Sequence, residues 1–194
     1  MPPAEGGQGD DLRLLLGMIA GAQDGLGRNA LYRLLEEGVD RGKQRIALRM
    51  LASASPDEPS GAELSGRLSL LLETETQHPI AEDLILFRAE LANTPGEATR
   101  DALSLLERFP GSELRTVALG ILVSAAWEDE RYRAAAGYAG QARRELGDRE
   151  AGVRAQLGVL QADAFFRGGD YRSAADAYAA ALDEPVAGVN PGEL

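Results

Sequence analysis

The chain has 194 residues, enough for one domain or one elongated array, and its 44% hydrophobic and 26% charged content suits a folded protein. Its net charge is −11, and none of four successive segments is net basic, which counts against DNA, RNA and anionic membrane surfaces as partners. Without cysteine it cannot form disulfides, thiolate centres or Cys-ligated metal sites, and no apolar run approaches the roughly 20 residues of a membrane span.

Residues 1–9, "MPPAEGGQG", are Pro/Gly-rich and read as a flexible leader. "LLLGMIAGA" (14–22) has the length of a signal-peptide core, but acids outnumber bases ahead of it, so it reads as a first helix. Asp10-Asp11 is placed to cap that helix over about 11–22. "DGLGRN" (24–29) reads as a turn, and "ALYRLLEEG" (30–38) as a helix stopped by Gly38. Asp40 opens a third helix, with Ile46, Met50 and Leu51 on one face. "SASPDEPSG" (53–61) reads as the longest loop, and Leu64, Leu68, Leu71 and Leu72 mark a fourth helix.

Pro79 starts a fifth helix through Leu84, Phe87 and Leu91. "NTPGE" (93–97) turns into a sixth, carried by Ala98, Ala102, Leu105 and Leu106. Helices over about 112–127, 131–145, 150–167 and 171–183 complete the set. No run of alternating β-branched residues occurs, and Ala, Leu, Arg and Glu dominate. The expected fold is therefore all-α, about five helical hairpins whose starts lie 30–39 residues apart, the period of an α-solenoid.

Candidate chemistry is sparse. "FRGGDYRS" has no strand before it and no lysine after it, and Asp170 stands where a phosphate would sit. His78 is the only histidine, too few for a two-His metal site or a Ser-His triad, and "QHPIAED" reads as a helix-start loop. "WEDER" (127–131) lacks the spaced ligands and turn glycine of a calcium loop and reads as a solvated turn. Glu36-Glu37 and Glu82-Asp83 are adjacent and point to different helix faces. The expectation is a non-enzyme with no cofactor and no metal.

The stretch "QADAFFRGGDYRSAADAYAAALDEP" (161–185) resembles a tetratricopeptide repeat, the helix–turn–helix unit of about 34 residues. The resemblance rests on Ala162, Phe165, the turn "GDY", Ala174, Tyr178, Ala181 and the closing Pro185. It departs where a large apolar residue is expected ahead of Ala162, since Gly158 and Gln161 stand near there. "LGILVSAAWEDERYRAAAGYAGQA" (119–142) is a looser unit with Glu130 at the turn glycine, and 82–110 keeps the helix lengths, Ala98 and Pro110. Residues 10–78 read as degenerate hairpins, 79–185 as TPR-like repeats, and 186–194, with "NPGEL", as the start of a further repeat or tail. In physical terms, Ala162, Ala174 and Ala181 let two helices approach toward the lower end of about 8–10 Å. Gly168 and Gly169 permit the reversal, including positive φ. Tyr171 and Tyr178 are expected to fill the space that the alanines leave.

The resemblance implies a right-handed α-solenoid whose concave groove, lined by the first helix of each hairpin, binds a partner segment. That lining would comprise Asp83, Phe87 and Glu90, then Ser124 and Trp127, then Val159, Asp163, Phe166 and Arg167. Trp127 and Phe166 would be its aromatic anchors. The plainer alternative is that Trp127 seals its turn and that Asp163 and Arg167 form a local i,i+4 pair. The Lys/Asn/Arg clamp of some family members is not matched, and Asp83 and Asp163 would repel an acidic tail, so a basic or apolar protein segment is expected. Neither nucleic acid nor a membrane span is expected, and the alanine-rich last helix also allows self-association. The other readings are a structural or assembly module of a larger multi-domain protein, for instance one of the cell envelope, and a helical-hairpin enzyme, for which no motif speaks. Cytoplasm and periplasm both fit the composition.

Overall fold

The computed structural model describes residues 5–54, 58–75, 77–147 and 150–182. Among them the chain is all-α, with ten helices and no strand. They are α1 (Glu5–Ala20), α2 (Gly25–Glu37), α3 (Arg41–Ser53), α4 (Glu58–Thr74), α5 (Ala81–Glu90), α6 (Pro95–Arg108), α7 (Arg115–Glu128), α8 (Tyr132–Leu146), α9 (Ala151–Arg167) and α10 (Tyr171–Leu182). The chain divides into two compact units, Met1–Leu91 and Ala92–Leu194.

Within the first unit α2 packs on α1, α3 on both, and α4 and α5 on α3 and on each other. Its core is leucine-rich: Leu31, Leu34 and Leu35 of α2, Leu48 and Leu51 of α3, Leu64 and Leu68 of α4, and Ile80, Leu84 and Ile85 at α5 are almost wholly buried. These positions recur at three- and four-residue spacing, so each helix presents one apolar stripe inward. Asp24 caps α2 through Leu26 N (2.8 Å), and Asp40 caps α3 through Lys43 N (3.1 Å).

Several boundaries differ from those expected. Helix α1 begins at Glu5, so residues 5–9 are helical where a leader was expected. Asp10 therefore lies inside the helix and is no cap. It is buried, and its carboxylate accepts from Val39 N (2.9 Å) and Asp40 N (3.0 Å), tying α1 to the α2–α3 connection. Residues 25–29 are already helix because Asp24 takes up the amide of Leu26. Helix α4 starts at Glu58, within the stretch expected as a loop, and Pro79 lies in the turn before α5.

The division between units falls after Leu91, so α5 belongs with the helices before it. Buried polar contacts join α5 to the helices before it. His78 Nε2 lies 3.0 Å from Leu35 O, and Ile80 N donates to His78 Nδ1 at 3.3 Å. Because Nδ1 accepts, Nε2 carries the ring proton and donates to the carbonyl. Leu35 O also accepts from the buried Gln44 amide (3.1 Å), and Arg45 of α3 holds Asp83 (2.9 Å) and Glu82 (3.2 Å) of α5.

In the second unit each helix from α6 to α10 packs on the next. Its core is mostly alanine: Ala118 and Ala126 of α7, Ala135, Ala136, Ala139 and Ala142 of α8, and Ala162 and Ala164 of α9 are buried, with Leu105, Leu119, Leu122 and Val123 as the larger members. Small faces bring helices close. A methyl built at Gly158 would stand 3.2 Å from Ala181 Cβ and 3.3 Å from the Arg143 guanidinium carbon. This proximity explains why glycine occupies the place ahead of Ala162 where a large apolar residue was expected. Thr94 caps α6 through Glu97 N (3.3 Å), with Pro95 in the first helical turn. Pro185 and "NPGEL" lie outside the described residues.

Candidate partner-binding surface

The second unit contains two hairpins, α7–α8 and α9–α10, closed by the same turn. After α7, Glu130 N donates to Trp127 O (3.0 Å) and Arg131 N to Ala126 O (2.8 Å). After α9, Gly169 N donates to Phe166 O (3.1 Å) and Asp170 N to Phe165 O (2.9 Å). These are the 5→2 and 6→1 bonds of a Schellman closure, which requires a left-handed residue just past the helix. Glu130 (φ 56°) and Gly169 (φ 76°) are those residues, while Gly168 has an ordinary φ of −75°. Asp170 then caps α10, accepting from Ser173 N (3.2 Å) and Ser173 Oγ (2.9 Å). These bonds lower its pKa below the usual aspartate value.

The aromatic residues repeat with the turns. Trp127 meets Tyr132 edge-on, with ring centroids 5.4 Å apart and planes at 83°. Phe166 meets Tyr171 in the same way at 5.4 Å and 66°. Trp127 and Phe166 stand 39 positions apart, as do Tyr132 and Tyr171. The sequence carries this as "WEDERY" and "FRGGDY", an aromatic pair five residues apart across each turn. Tyr132 is the member that the expected site omitted, and this doubled spacing is the signal for it.

A cation links the two hairpins. The Arg167 guanidinium, from the end of α9, lies over the Trp127 ring at 5.2 Å. Trp127 is half-buried, packed against the alanine core of α7, α8 and α9. Asp163 does not take the local pairing with Arg167: its carboxylate accepts from Tyr178 Oη of α10, a bond that raises the tyrosine pKa. Phe166, Arg167, Val159 and Ser124 are exposed, and Asp163 is partly so.

The two tyrosines of α10 do not fill space between the helices. Tyr171 is 66% exposed and Tyr178 36% exposed. The contact of Gly158 with Ala181 leaves no interior volume for a ring there, so both lie on the outside, against Phe166 and Asp163. Ala162, Ala174 and Ala181 are the buried members of the motif.

The remaining expected site residues belong to the first unit. Asp83 is held by Arg45, Phe87 is half-buried, and Glu90, the last residue of α5, is exposed, with desolvation raising its carboxyl pKa. Among the described residues no helix is long and apolar enough to cross a membrane, and no group of three or more His, Cys, Asp or Glu is placed to hold a metal ion. No family model matches the chain, and no curated protein matches it.

Proposed function

We propose that this protein is a non-catalytic interaction scaffold, a right-handed, TPR-like α-solenoid that binds a segment of another protein. The face that we assign to binding lies in the second unit and is formed by Ser124 and Trp127 of α7 with Val159, Asp163, Phe166 and Arg167 of α9. The observation that carries this reading is the repeated aromatic pair with the arginine between the hairpins. It puts aromatic and guanidinium surface, the groups that dominate binding hot spots, on a rigid framework of buried alanines.

A random-peptide display selection against the folded chain tests this. Enriched peptides should lose binding to the Trp127→Ala and Phe166→Ala variants while circular dichroism shows helicity retained. Peptides that bind both variants unchanged would place the interaction elsewhere.

A second reading, a structural module that self-associates through α10, is favoured by its outer face. Ala175, Ala179, Ala180 and Leu182 are exposed there, Leu182 by 86%. Light scattering over a concentration series tests it, and a monomer at the highest concentration would exclude it.

A further inference from the structure

The repeat of the two hairpins makes each aromatic pair a measure of the other. Trp127 has Tyr132 at its edge and the Arg167 guanidinium over its ring. Phe166 has the matching edge contact from Tyr171, but among the described residues no guanidinium lies over its ring. Phe166 is accordingly 56% exposed.

The neighbourhood of Phe166 differs from that of Trp127 at several positions, among them the one a turn earlier on the helix. Ser124, one turn before Trp127, is replaced by Asp163, one turn before Phe166. Residues three apart are neighbours on a helix surface, so a carboxylate stands beside the open ring. Tyr178 Oη donates to that carboxylate and holds it on the α10 side of α9. An aromatic face with a fixed carboxylate at its edge suits a planar cation that stacks on one and bonds to the other. The chain as a whole, at −11, attracts such a group.

We propose that Phe166, Tyr171 and Asp163 form a seat for an arginine side chain of the partner segment, which stacks on Phe166 as Arg167 stacks on Trp127. This rests on the scaffold reading and names the chemistry of its partner: a basic segment.

The test uses two small probes, N-acetyl-arginine methylamide and its neutral isostere N-acetyl-citrulline methylamide, titrated against the full chain with aromatic-ring NMR signals as readout. The arginine probe should shift the Phe166 and Tyr171 rings in a saturable way and bind roughly fivefold more tightly than citrulline, in the range of an exposed cation–π contact. Asp163→Asn should weaken the arginine probe, and Phe166→Leu, which keeps apolar bulk without a ring, should bring it to the citrulline level. Equal binding of the two probes, shifts confined to other residues, or indifference to both variants would overturn the seat. The peptide selection separates this from the wider reading. Enriched peptides that need Phe166 but tolerate citrulline for arginine leave the scaffold standing and remove only the cationic partner.

Discussion

Glu130 occupies in the α7–α8 turn the left-handed position that Gly169 occupies in the α9–α10 turn, with φ of 56° and 76°. The two are closed by the same pair of backbone hydrogen bonds. A side chain in this region costs roughly 1 kcal/mol that glycine avoids. Glu130→Gly should therefore stabilise the second unit by a few tenths to about 1 kcal/mol, and Gly169→Ala should destabilise it by about 1 kcal/mol. Urea titrations of both variants check this. Glu130 is solvent-exposed, so loss of its carboxylate has little effect of its own. A Glu130→Gly variant less stable than the parent would show that the turn is set by something other than the backbone.

Trp127 is the only tryptophan, so the emission comes from one ring, the one that Arg167 overlies. Arg167→Ala should change the emission intensity and shift the maximum to longer wavelength as the ring face meets water. The loss of stability should be small, about 0.5–1 kcal/mol, because the guanidinium is exposed. Arg167→Lys keeps the charge but not the planar stack and should fall between the two. Emission unchanged in the alanine variant would mean that the guanidinium does not rest on the ring in solution.

Much of this fold is legible in the sequence, because leucine spacing, caps and turn glycines act within a few residues. Gly38, Asp40 and the Thr94-Pro95 start all mark helix ends by local hydrogen bonding. What the sequence hides is set by distant partners. Asp10 looks like a cap, yet it serves amides 29 and 30 residues away. The ties of the α5 start to α2 and α3, through His78 and Arg45, are likewise announced by no local pattern. The site is legible in part. The aromatic pairs are visible as spacing, whereas the seating of Arg167 on Trp127 requires the two hairpins to be stacked, and that of Tyr178 on Asp163 requires α9 and α10 to be packed together.

His78 is a structural residue, and its replacement should be felt only in the first unit. His78→Ala removes the bond to Leu35 O and leaves the buried Ile80 N–H without an acceptor. Leu35 O keeps the Gln44 amide, so the main loss is at Ile80. The expected destabilisation is about 1–3 kcal/mol, the range for one unsatisfied buried group. Hydrogen exchange should show faster exchange at the start of α5 with α7–α10 unaffected. Unchanged protection at Ile80 would contradict the assigned bond.

Asp170 gives α10 a pH dependence with a definite sign. Its hydrogen bonds from the Ser173 hydroxyl and amide favour the charged form, so its pKa is lower in the folded state than in the unfolded chain. A group depressed in this way stabilises the fold fully above its unfolded pKa, near the usual 3.8, and that stability is lost as pH falls through the folded pKa. The first turn of α10 should therefore hold at pH 5 and fray as the pH falls below about 4. Asp170→Asn retains a capping oxygen without the titration, so its α10 amides should exchange with no such acid step. Amide exchange of Ser173 and Ala174, measured from about pH 5 down to about 2.5, distinguishes the two. An acid step of the same size in the asparagine variant would assign it to another carboxylate.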